Sequence, residues 1–229
     1  MSGLYLRKMR RSVGSAACGL IAGALFFAFS FVSPAPAGVG GASVAPLFAE
    51  PVLRVEEDWK LVLNEPDGNV DSPQFHTIMS PFGDADSFYA QVLWNYREMP
   101  DFTAGGVQLQ SYEGDSLIRR RSMEFGQLST AAETITWTQS LTTDGVALSF
   151  DVSNGQSTTW GAFGKDMWIS SDANLPDLSG YSPDVSAERS CVTYGENRVN
   201  LLVITEVRYY GAGGLLRVDY TPRGAFQLN

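Results

Sequence analysis

Between residues 133 and 170 the chain alternates apolar and polar side chains so regularly that few structures remain open to it. Ile135 and Trp137 point one way and Thr134, Thr136 and Thr138 the other, the period-two pattern of a strand with one dry face. Asp144-Gly145 supplies a turn. Val146, Leu148, Phe150 and Val152 then repeat the alternation against Ala147, Ser149 and Asp151, and Asn154-Gly155 reads as a second turn able to take positive φ. Further segments follow at 156–160 and 167–170. The pattern predicts an antiparallel meander, and a meander with one apolar face requires a second layer to cover it.

The rest of the chain repeats this vocabulary. Phe88, Ala90, Val92, Trp94 and Tyr96 alternate as in a strand, although Phe88, Tyr89, Val92, Leu93 and Tyr96 also share a helical face; aromatic and β-branched content decides for the strand. Its partner is 107–112, after Gly105-Gly106. Residues 117–125 carry Arg119, Arg120 and Arg121, which alternation divides between both faces, as charge guarding a sheet edge does. Val199, Leu201, Val203, Thr205, Val207 and Tyr209 form the longest alternating run, and 215–221 returns beside it after a glycine-rich turn. The 170–198 connection is long and rich in Ser, Pro, Asp and Gly, with only 191–194 reading as a strand. No stretch reads as a helix. About ten short strands without a helix predict an all-β fold: a two-sheet antiparallel β-sandwich of jelly-roll, concanavalin A-like type over residues 51–229, with a closed barrel as the alternative.

The N-terminus belongs to a different class of segment. Arg7, Lys8, Arg10 and Arg11 precede an uncharged run that becomes strongly apolar at 20–31, and Ala35-Pro36-Ala37 offers the small residues a signal peptidase needs. The expectation is a signal peptide over 1–37 and a Gly/Ala/Ser/Pro linker over 38–50. An uncleaved membrane anchor is the alternative, and it is the only membrane contact expected. The protein is then secreted, periplasmic or at the cell surface. Removing 1–37 leaves Cys191 as the one cysteine, expected as a small buried apolar residue without an internal disulfide. It also removes four of the sixteen basic residues and none of the twenty-five acids, so the net charge moves from −9 to −13. That balance excludes nucleic acid as a partner, because phosphate binding needs the opposite field.

Several stretches carry a resemblance: 55–59, 64–67, 105–110 and the run from Trp137 through Asn154-Gly155 to Trp160, Phe163 and Gly164. Across most of the chain beyond the signal segment, they resemble a group of exported, functionally uncharacterised proteins of planctomycete bacteria. In pattern alone the meander is also similar to the concanavalin-type lectin and glucanase sandwiches. The first resemblance implies export and domain extent; the second implies carbohydrate as ligand.

Glucanases of that second kind carry Glu-x-Asp-x-(x)-Glu on one strand, because nucleophile and acid must face one cleft at fixed separation. That spacing is absent from this sequence. Two acids brought together from distant strands would serve the same chemistry, so hydrolysis stays open. His76, the only histidine, stands without a nucleophile elbow, and one His with one Cys cannot close a usual zinc site. Asp67, Asn69 and Asp71 occupy alternate positions around Gly68 in the most polar loop, the spacing with which short loops offer oxygens to Ca²⁺, and they are the expected metal ligands. Trp94 and Trp137 share faces with aliphatic residues and are assigned to the core. Trp168 opposes Met167 and Ile169 and is expected on the outer face. Tyr89, Gln91, Asn95, Gln108, Gln110 and Tyr112 form a polar strand-pair face able to combine stacking with amide hydrogen bonds. The expected ligand contacts are Gln108, Gln110, Tyr112 and Trp168. The expected function is an exported, non-catalytic sandwich binding an extracellular glycan or another surface component; a glycan-active hydrolase on the same architecture and a structural envelope or matrix protein are the alternatives.

Overall fold

A computed structural model describes residues 48–66, 72–96, 105–128 and 131–228. The signal segment, most of the linker, and Asp67, Asn69 and Asp71 lie outside the described residues. Among the described residues thirteen strands follow in order: β1 (Arg54–Leu63), β2 (Gln74–Met79), β3 (Phe88–Tyr96), β4 (Gly106–Glu113), β5 (Ser116–Met123), β6 (Thr134–Thr143), β7 (Ala147–Ser157), β8 (Gly161–Phe163), β9 (Met167–Asp172), β10 (Cys191–Tyr194), β11 (Val199–Gly211), β12 (Gly214–Asp219) and β13 (Arg223–Gln227). They form an all-β, two-sheet antiparallel sandwich. The larger sheet runs β12-β11-β1-β6-β7-β8, with β13 also on β11 and β9 also on β7; the smaller runs β10-β2-β3-β4-β5.

Burial explains why two sheets form. β1 alternates half-buried and buried residues along its whole length, so Val55, Trp59 and Leu61 enter the core while Arg54, Glu56, Asp58 and Lys60 stay outside. Leu148, Phe150 and Val152 of β7 are likewise buried. The centre of the core is aromatic. Trp59 and Trp137 of the larger sheet stack at 6.0 Å, and Trp94 of the smaller sheet meets Trp137 at 4.7 Å and Phe75 at 5.8 Å. Each buried indole withdraws on the order of 200 Å² from water, worth about 5 kcal/mol, so these rings bind the sheets together more strongly than any aliphatic pair.

The turns follow local chemistry. At Asp144-Gly145 the Asp144 carboxylate accepts from the backbone N–H of Val146 (2.9 Å) and Ala147 (2.8 Å), and Gly145 takes φ +92°. Asn154-Gly155 departs from expectation: it lies inside β7 as a bulge, not a turn. Asn154 sits at φ +54°, and the β6–β7 register shifts opposite Trp137. Gly155 is required there because a Cβ would lie 2.2 Å from the Phe163 ring. The bulge lets one strand serve two partners, β9 over 147–152 and β8 over 155–157.

One helix corrects the helix-free reading. α1 (Pro183–Arg189) starts after Ser182 with Pro183 in its first turn, Asp184 beside it and Arg189 in the last turn. Those start and stop signals were present in the sequence but too short to carry an amphipathic period. The arginine-rich strand β5 is the edge strand of the smaller sheet, as expected for a charge-guarded edge.

Candidate functional site

The four expected ligand contacts do not converge. In β4, Val107 and Leu109 face the core, so Gln108, Gln110 and Tyr112 point out of the smaller sheet. In β9, Met167 and Ile169 face the core, so Trp168 points out of the larger one. Strand parity therefore places Trp168 on the opposite side of the sandwich from the other three.

The glutamines are also occupied. Gln91 Nε2 donates to Gln110 Oε1 (2.6 Å), Gln110 Nε2 to Gln108 Oε1, and Gln108 Nε2 to Ser122 Oγ (3.0 Å). Tyr112 OH donates to Gln110 Oε1 (2.9 Å) and its ring stacks on Tyr89 at 5.0 Å. Gln108 is fully buried and Gln110 nearly so. This amide ladder ties β3, β4 and β5 together and leaves little hydrogen-bonding capacity for a ligand. Asn95 leaves the set altogether. Its backbone is left-handed at φ +55°, and its buried amide binds Ser72 Oγ (3.1 Å), the Pro73 carbonyl (2.6 Å) and the Leu128 N–H (3.3 Å).

Trp168, the second residue of β9, is 53% exposed between two buried neighbours. The Arg121 guanidinium lies 5.9 Å from its ring centroid, and Arg121 Nη1 donates to the Trp168 carbonyl at 3.1 Å, so the indole is held from the neighbouring sheet edge. Across the outer face the register sets Trp168 beside Asp151, then Ser140, Glu56 and Arg208. A second row runs Ser170, Ser149, Thr142, Arg54 and Tyr210. Four strand spacings separate Trp168 from Arg208, about 19 Å. At the far end Arg208 gathers Glu56 (2.7 Å), Asp58 (2.6 Å) and Glu206 (2.7 Å), and Tyr210 OH donates to Glu56 (2.9 Å). The Asp58, Glu56 and Glu206 carboxylates hold the Arg208 pKa above its ordinary value, Asp58 most of all. The result is a flat polar face with an anchored indole at one end.

A cavity of about 480 Å³ opens at one end of the sandwich, where the start of β3 and the end of β4 part from the chain leaving β9. Phe82, Phe88 and Leu175 give it apolar walls, and Glu113, Asp172 and Asn174 add two carboxylates and an amide. Nothing in the sequence pattern singled these residues out, because they come from three segments that meet only in the folded chain.

A second group that the sequence pattern did not single out is Glu57. It faces the core between Val55 and Trp59 and is fully buried. Its Oε2 accepts from Trp59 Nε1 (2.9 Å) and Gln139 Nε2 (3.0 Å), and its Oε1 from Tyr181 OH, which also meets Ser186 Oγ at 2.8 Å. Gln139 Oε1 in turn accepts from Thr77 Oγ1 (2.8 Å), and Thr77 Oγ1 from Trp94 Nε1 (3.0 Å), so the network spans both sheets and α1. Burial pushes the Glu57 carboxyl up to about 7, against the pull of its three donors. Burial, followed by the Glu57 charge, pushes the Tyr181 phenol well above its ordinary range. The signal was present: period two in β1 assigns Glu57 to the face of Val55 and Trp59.

Cys191 is not a lone thiol, in contrast to the reading of the sequence. It is disulfide-bonded and lies 3.7 Å from His76 Nε2. Burial lowers the His76 pKa. Among the described residues no three His, Cys, Asp or Glu side chains cluster so as to hold a metal ion. No protein-family profile matches this chain, and no curated protein matches it.

Proposed function

We propose that this chain is an exported, non-catalytic β-sandwich that binds a glycan on the outer face of its larger sheet, with Trp168 as the stacking platform. The observation that carries this reading is an indole left half exposed in a regular strand whose two flanking residues are buried, and steadied there by Arg121. A Trp gains about 5 kcal/mol from full burial, so an exposed one flanked by hydroxyls and a carboxylate suits a sugar ring, whose apolar face stacks while its edge hydroxyls bond. Asp151, which also accepts from Ser140 Oγ, and Ser149 and Ser170, which share one hydrogen bond of 3.3 Å, are the bonding groups within two strands of the indole. The N-terminal segment supports export, and the resemblance of the meander to lectin-type sandwiches supports a saccharide ligand.

Retention of the full chain on a panel of immobilised polysaccharides tests it. Wild type should be retarded on at least one, and Trp168→Ala should lose that retardation while keeping its urea midpoint. Equal retardation of both proteins, or none of the wild type on any glycan, would overturn the reading.

A further inference from the structure

The end cavity and the Trp168 face are joined by one strand. Trp168, Ser170 and Asp172 lie on the same outward side of β9, and four residues of strand place Asp172 about 13 Å from Trp168. Asp172 also lines the cavity, so the outward side of β9 leads from the indole to the cavity rim. The chemistry there is distinctive. Neither the Glu113 nor the Asp172 carboxylate has a hydrogen-bond or ion-pair partner among the described residues, and no Lys or Arg lines the space. Two negative charges above apolar walls favour a cation that brings an apolar or ring body with it. A bare metal ion fits less well, since only two carboxylates and one amide are offered where Ca²⁺ takes six to eight oxygens.

Building on the glycan reading above, we propose that the cavity recognises the protonated amine of a de-N-acetylated amino sugar, so that the ligand is a cationic glucosamine-type polymer. Glu113 and Asp172 pair with the ammonium, the Asn174 amide bonds a ring hydroxyl, and Phe82 and Phe88 cover the ring. The strongly acidic balance of the exported chain adds long-range attraction for such a polymer.

Calorimetric titration of the full chain with a β-1,4-linked glucosamine tetramer, and with the same tetramer N-acetylated, tests this. The free-amine form should bind about tenfold more tightly at low salt, and the preference should shrink in high salt as the carboxylate–ammonium attraction is screened. Glu113→Gln with Asp172→Asn should remove the preference while preserving Trp168-dependent binding. Both side chains are exposed, so the pair should fold, and each single change serves as a second test. Equal binding of the two tetramers, or a preference that survives the double change, would overturn the amine assignment and leave the glycan reading standing. Loss of every Trp168-dependent glycan interaction would remove the reading beneath it.

Discussion

Glu56 and Asp58 face outward from β1, while Glu57, between them in the chain, faces inward. The outer pair shares Arg208 with Glu206, under partial solvent, in a cluster where one guanidinium meets three carboxylates. Glu57 meets no cation among the described residues. It is held by an indole N–H, an amide and a phenol, and burial raises its pKa to about 7. The contrast teaches that a run of acids in sequence is not one electrostatic object. Solvent and a guanidinium offset the outer carboxylates, whereas burial in a dry core, against the pull of its donors, pushes the inner one up to about 7.

The largest break in this comparison is Glu57→Ala. It strands the Trp59 N–H and one Gln139 donor in the core, leaves the Tyr181 hydroxyl with Ser186 alone and opens a cavity, so urea unfolding at pH 5 should show a loss of about 3–5 kcal/mol. Next comes pH. The folded pKa of Glu57 lies above its ordinary 4.5, so the stability tied to its protonated form is full below about 4.5 and is lost as pH rises through about 7. The gap corresponds to roughly 3 kcal/mol. Glu57→Gln should flatten this part of the profile; an equally steep profile in that variant would show that the slope arises elsewhere.

On the outer face the effects are smaller. Arg208→Ala leaves three carboxylates facing one another with solvent at hand, and should cost about 1–2 kcal/mol, worse at low salt than at high. Salt should leave the Glu57→Ala loss nearly unchanged, and a salt-sensitive Glu57→Ala would erase the distinction between the two faces. Smallest is Trp168→Ala, within about 0.5 kcal/mol of wild type in unfolding, because the indole contributes little to the core. Its effect belongs to glycan retention alone.

Much of this architecture was legible from period two. The parity of Ile135 and Trp137, of Leu148, Phe150 and Val152, and of Met167, Trp168 and Ile169 assigned core and surface residue by residue, and burial agrees. Two runs depart from it: Val146 sits in the turn, outside β7, and is exposed, and β11 changes parity at a bulge, so that Leu202 and Ile204 are fully buried and Thr205 is exposed while Val207 and Tyr209 remain inside. Parity also failed at Asn95 and Asn154, where left-handed backbone breaks the alternation, and an Asn can stand for a turn, a bulge or an ordinary strand residue until its partner strand is known. The same limit hid the site. Parity states that Gln108 and Trp168 both face away from a core, but not that their strands belong to different sheets.

The sequence by itself determined the class of fold, the aromatic core and which side chains are dry wherever a strand runs without a bulge, because alternation is a local property of a pleated backbone. Tertiary structure alone decided that the glutamines bind one another, that Glu57 is met by Tyr181 and Ser186 from the α1 region, and that Glu113 and Asp172 share one cavity. Those are contacts between segments far apart along the chain, and no local period encodes which sheet a strand will join or what will face it there.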